Sequence, residues 1–290
     1  MCKTFTRTSV DRLHQDRELL QTCVRRMGSR LCQTEERALR AWSGGIHRSS
    51  TLAAQLLAQS ESEWSTAIVE HRAHRHVWYD QLAEEVSAGE FAAFLFENWA
   101  LPPFLPLVER ALEAQICDEG RAALLRNISD EQFPVPHSQL MRHLMTAVKT
   151  KVGDDVRYEL YPSLINRTLV FYYGYYCNPW HLIGSLYATE LMGQYRMIKM
   201  GVGLERLGFS AADLEFIRVH TICDEDHARE WGDSVVVPSI RLNPTLRIPI
   251  AEGIASCLET SARYLDDLSE RAFDRSANRT PLATARYLEQ

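Results

Sequence analysis

From Trp180 to Leu207 apolar residues recur at intervals of three and four, and the run stops at Gly208. That period turns one stripe of an α-helix towards a core. Residues 211–231 and 245–274 continue the same pattern, and Ser210 is placed to cap the first of these. Further helical stretches read as 10–32, 34–42, 49–86 with a break near Glu70, 89–114, 118–131, 136–150 and 155–176. Pro102, Pro103 and Pro106 kink or split the helix that contains them. Period-two alternation is scarce. The β-branched run 235–240 is short and contains Pro238, so it reads as a connection. The fold class is all-α.

The chain has 290 residues, enough for a sizeable core, and 46% of them are hydrophobic. A net charge of −6 and the lack of a basic tract argue against a nucleic-acid partner. Every apolar stretch is broken well short of a membrane span, and the N-terminal residues turn charged too early for a secretory signal. Seven dispersed cysteines with no CxxC pair read as reduced thiols, so a cytoplasmic location is expected. Residues 1–70 read as a helical extension, loosest around Trp42–Ser50, residues 71–275 as the main bundle, and 276–290 as a tail. The extension packs either on the bundle or on a second copy of the chain as a homodimer, and the sequence leaves that open.

Chemistry enters at His220-Thr-Ile-Cys-Asp224-Glu-Asp-His227. At about 100° per residue, His220, Asp224 and His227 fall within roughly 60° of arc, with Phe216 and Trp231 on the same face. Two imidazoles and a carboxylate on one stripe can chelate a metal ion. The competing reading is a polar helix facing solvent. Glu190 sits among bulky or uncharged neighbours, where a carboxylate is costly unless it is paired or bound to a cation. Glu131 ends one helix and His137 begins the next across Pro134 and Pro136, so the two can converge at that corner; Asp130 is a rival to Glu131. Mixed carboxylate–imidazole sets without thiolate suit iron or manganese, and in helical bundles they hold two bridged ions.

These segments, in this order, resemble the haem-oxygenase-like diiron oxidases and oxygenases. The matching parts are Asn127, Asp130, Glu131 and His137, the LYATE helix around Glu190, and the HxxxDxxH of His220, Asp224 and His227. The resemblance spans roughly residues 70–275. It implies a seven-helix bundle without haem, here with an extra N-terminal helical extension. It also implies a ligand set of Glu131, His137, Glu190, His220, Asp224 and His227 for two iron ions, with O2 as co-substrate. Several members oxidise amino acids or amino-acid-derived metabolites in small-molecule biosynthesis, by N-oxygenation, desaturation or carbon–carbon cleavage, and fatty-acid decarboxylation also occurs. The first 70 residues have no counterpart in the resemblance, and the Glu131–His137 segment is short and proline-rich.

The expectation is therefore a diiron oxidoreductase acting on an amino-acid-like substrate. The alternative is a metal-free enzyme or small-molecule binding protein of the same architecture. Tyr187, Gln194 and Trp231 are placed by helical geometry to line a pocket beside the ligands. A substrate carboxylate would need a cation, and Arg167, Arg196 and Arg218 are the candidates. His71, His74 and His76 alternate with arginine and read as a solvated helix face, whereas the aromatic run 171–180 reads as core packing with hydroxyls at the rim. Cys223 falls off the ligand stripe.

Overall fold

The structure, a computed structural model, describes residues 7–98, 101–153 and 161–277; Cys2, the start of the expected 155–176 helix and nearly all of the 276–290 tail lie outside them. Among the described residues there is no strand. The chain begins with α1 (Arg7–Arg25), α2 (Gln33–Ser49), α3 (Thr51–Ala58) and α4 (Trp64–Glu70). Next come α5 (Val77–Glu84), α6 (Ala88–Asn98), α7 (Phe104–Leu112), α8 (Asp118–Gln132) and α9 (His137–Val152). They are followed by α10 (Pro162–Cys177), α11 (Pro179–Arg206) and α12 (Glu215–Glu230). A π-helical turn (Trp231–Val236), α13 (Val237–Leu242) and α14 (Arg247–Ala277) complete it.

The central rod is α11. Asn178 caps it by accepting from the backbone N–H groups of Trp180 and His181, and Pro179 occupies the first turn, where no N–H is needed. It ends at Gly208, whose φ of 79° is open chiefly to glycine. Along its length α11 comes so close to its neighbours that side chains are excluded. A Cβ at Gly184 would collide with the Ile250 carbonyl of α14, and one at Gly203 with the Leu82 carbonyl of α5.

The N-terminal helices pack on this bundle. Leu56 of α3 and Trp64 and Ile68 of α4 are fully buried in the same apolar cluster as Leu182, Leu186 and Ile254. Trp64 also donates from Nε1 to the Leu56 carbonyl at 2.8 Å. Burying such a ring favours the docked state by about 2–3 kcal/mol. Helices α1 and α2 bury Leu20, Leu39, Trp42 and Ile46 against Leu169, Tyr172 and Tyr173 of α10. The aromatic run of α10 is thus the seat of the extension.

Four expectations are corrected. Residues 42–49 are helix, not a loose joint: Trp42 and Ile46 are buried, which offsets the helix cost of Gly44 and Gly45, about 1 kcal/mol each. The 71–76 segment is a connection with a buried interior, not a solvated helix face. His74 and His76 are 7% and 6% exposed, and His76 caps α5 by accepting from Trp78 N while its Nε2 lies 3.1 Å from Asp266 of α14. Residues 235–240 are helical: Val235, Val236 and Ile240 are buried, and Pro238 sits in the first turn of α13, where its missing N–H costs nothing. Ser210 caps a turn with Asp213, and regular α12 begins only at Glu215.

Candidate metal centre

Four helices meet at the polar interior. The last turn of α8 carries Asn127, Asp130 and Glu131, the first residue of α9 is His137, and α11 and α12 supply the rest. Donor atoms of Glu131, His137 and His220 lie within 4.8 Å of one another, and so do those of Cys223, Asp224 and His227. Glu190 joins the second triad, its Oε2 lying 3.9 Å from His227 Nδ1. The packing that allows this is again a glycine. Gly193, one turn beyond Glu190, faces Asp224, and any Cβ there would collide with its carboxylate.

The six residues expected to be ligands are therefore brought together, and five of the six are within 11% exposure, with His220 at 13%. Glu131 turns inward, whereas its rival Asp130 is 58% exposed and lies 3.2 Å from His227 Nε2. With its proton on Nε2, His227 donates to Asp130 and keeps a lone pair on Nδ1 beside Glu190. His220 Nδ1 is 2.8 Å from the Phe216 carbonyl, which fixes the proton there and leaves Nε2 free, 3.9 Å from Glu131 Oε1. His137 Nδ1 is 3.1 Å from Glu131 Oε2 yet makes no hydrogen bond there. Two ligand atoms aimed at a shared ion stand in that relation.

The electrostatics make the same demand. Burial pushes the Glu190 carboxyl well above the usual range, and repulsion from Asp224 and Glu131 adds to it. Burial also pushes Asp224 up to about 7, with Arg196 opposing and Glu131 reinforcing. His220 is pulled down to about 4 by burial, so its imidazole is neutral and its lone pair available at neutral pH. Buried carboxylates destabilised in this way need protons or a cation. The donor set, all oxygen and imidazole nitrogen apart from one thiol, fits iron. Asn127 holds Glu190 by donating from Nδ2 to Oε1 at 3.3 Å.

Cys223 is closer than the helical stripe suggests. Burial raises its thiol far above the usual range, and the protonated Sγ donates to Asp224 Oδ1 at 3.7 Å. Phe216 lies over His220 with ring centroids 4.1 Å apart. Trp231, 1% exposed, lines a crevice with Asn127 and His227 that is too narrow for water. Tyr187 is buried beside the π turn, against Gly232. Gln194 instead turns to the surface and donates to Glu225 at 3.2 Å. Sequence reasoning did not pick out Gly193 or the Asp130–His227 pair. The signal for the glycine was a small residue three positions after a ligand, on its face of α11.

An all-α bundle carrying clustered acidic and imidazole side chains defines a class of helical metalloprotein. The model of a family described as "Iron-containing redox enzyme" matches residues 106–262, more than half of the chain, and the chain belongs to that family of oxidoreductases. In fold it is similar to a crystal structure of a domain of unknown function with a heme oxygenase-like fold from Shewanella denitrificans OS217. That likeness has 15% identity and a TM-score of 0.54, covering 78% of this chain and 97% of the other. No curated protein matches the chain. The architecture is thus the haem-oxygenase-like helical bundle, here with added N-terminal helices. No helix among the described residues is long and apolar enough to cross a membrane.

Proposed function

We propose that the chain is a non-haem diiron oxidase or oxygenase that uses O2 to oxidise an amino acid or amino-acid-derived small molecule, in the cytoplasm and in small-molecule biosynthesis. One observation carries the reading. Three carboxylates and three histidines cluster in two adjacent groups, and burial with mutual repulsion drives Glu190 and Asp224 well above the usual carboxylate range. Glu131, His137 and His220 would hold one iron, and Asp224, His227 and Glu190 the other. When bound, the two ions supply the electrons and open coordination positions for O2 reduction.

The protein's own part is positioning and exclusion of water. The Phe216 carbonyl and the Asp130 carboxylate orient His220 and His227 through their outer nitrogens. Asn127 and Cys223 hold the outer oxygens of Glu190 and Asp224. Phe216 and Trp231 close the two ends of the α12 stripe against solvent. The amino-acid part of the reading rests on the resemblance of the three ligand segments to oxidases of such substrates.

The test is anaerobic Fe(II) titration of the full chain, followed by O2-consumption measurements with panels of amino acids and fatty acids. Two irons per chain and O2 uptake stimulated by one compound are expected, with both lost in His220→Ala and Asp224→Ala. An active His220→Ala protein, or a chain that takes up no iron, would sink the proposal.

A further inference from the structure

The three candidate arginines have different surroundings. Arg218 is exposed and its Nε and Nη2 donate to Glu215, so it is spent at the surface. Arg167 of α10 is 7% exposed. Its Nη1 donates to the neutral Asn98 Oδ1 at 2.7 Å, its guanidinium lies 5.3 Å from the Tyr264 ring centroid, and its Nε is buried without a partner. It has no ion pair among the described residues. Glu97, which precedes Asn98 in the chain, is 0% exposed and already taken: Arg271 grips both its oxygens at 3.0 Å, and the Tyr264 hydroxyl donates to it at 2.9 Å. A buried guanidinium without a carboxylate is an expensive arrangement for a fold to keep.

Arg196 of α11 makes it more so. It has no hydrogen bond or ion pair among the described residues. Its charge acts on Arg167 and Tyr79 on one side, and on Asp224, Glu190 and His220 on the other. Burial pushes Arg167 below its ordinary range, and repulsion from Arg196 pushes the same way. Two like charges are therefore kept within reach of each other, Arg196 also acts on the triad acids, and the buried Nε of Arg167 has no partner.

We infer that Arg167 and Arg196 form the anion end of the substrate pocket, where they grip the substrate's carboxylate so that its remaining atoms run towards the metal ligands. This rests on the oxidase reading above. A planar monoanion suits the forked N–H groups of two guanidiniums and the ring face of Tyr264.

The test uses the full chain, metal-free and Fe(II)-loaded, with titration calorimetry and thermal melting. The probes are the protein amino acids and the straight-chain acids from hexanoic to dodecanoic, each beside its primary amide. One acid is expected to bind while its amide does not, and which panel it comes from decides between an amino-acid and a fatty-acid substrate. Arg167→Met and Arg196→Met should each weaken that acid by roughly tenfold to a hundredfold while leaving the Fe(II) stoichiometry unchanged. Arg218→Met should change nothing. The inference is overturned if acids and amides bind alike, if no acid binds, or if binding survives both substitutions. A chain that binds the acid but takes up no iron keeps the anion site and loses the oxidase reading. Iron uptake without acid binding does the reverse.

Discussion

Two buried carboxylates, Glu97 and Glu190, sit in the same bundle under opposite conditions. Glu97 is 0% exposed and fully satisfied by Arg271 and the Tyr264 hydroxyl. Glu190 is 6% exposed, and its one hydrogen bond comes from the neutral amide of Asn127, with Asp224 and Glu131 repelling it. The first is an internal ion pair whose charges balance within the fold. The second stands among acids that repel it, with the Asn127 amide and the charge of Arg196 in its favour. On the proposed reading, the difference separates a polar group kept for structure from one kept for a ligand, and burial alone does not reveal it.

The largest effect that would break this contrast is at the metal triads. Asp224→Ala should abolish Fe(II)-dependent O2 uptake and reduce iron binding below two per chain, with circular dichroism unchanged; retained activity would place Asp224 with the structural acids. Next comes Arg271→Met, which strands the Glu97 charge and should cost about 3–5 kcal/mol in urea unfolding. Glu190→Gln should instead stabilise the metal-free protein, since it removes an unmatched acid; a loss of several kcal/mol would mean that Glu190 is paired after all.

The pH dependence sharpens the same point. Glu190 and Asp224 have raised pKa values in the folded state, so their contribution is present at low pH and lost as pH rises through those values. Histidines such as His220 act in the opposite sense, but only below about 6.5. Metal-free protein should therefore lose melting temperature as pH rises above about 6.5, and Fe(II) loading should remove that slope because the ions replace the protons. The smallest effect belongs to the exposed Arg126–Glu230 pair, 3.0 Å apart, where Arg126→Ala should shift stability by no more than about 0.5 kcal/mol.

Much of this was legible in the sequence because it is local. The 220/224/227 stripe is a property of one helix, and Asn178-Pro179 and Gly208 mark the ends of α11 by their own backbone chemistry. What could not be read depends on contacts between distant segments. His76 looked solvated next to its arginines, but Asp266, 190 positions away, draws it inward. Gly44 and Gly45 looked like a joint because nothing local shows that α10 buries the residues around them. The choice between Asp130 and Glu131 turns on a single helical step, below what pattern reading resolves next to two prolines.

The glycine contacts of α11 have one more consequence. The helix is 28 residues long, roughly 42 Å, and it is gripped by backbone or carboxylate contacts at Gly184, Gly193 and Gly203. Close backbone approach at two of these positions fixes where α11 sits against α5 and α14, so it serves as a ruler for the groups mounted on it. Descendants of this chain are then free to change the extension, the α8–α9 corner or the pocket walls while the ligand spacing stays constant. Divergence in what is oxidised would be written around the ruler, and the mark at Gly193 would be among the last to change.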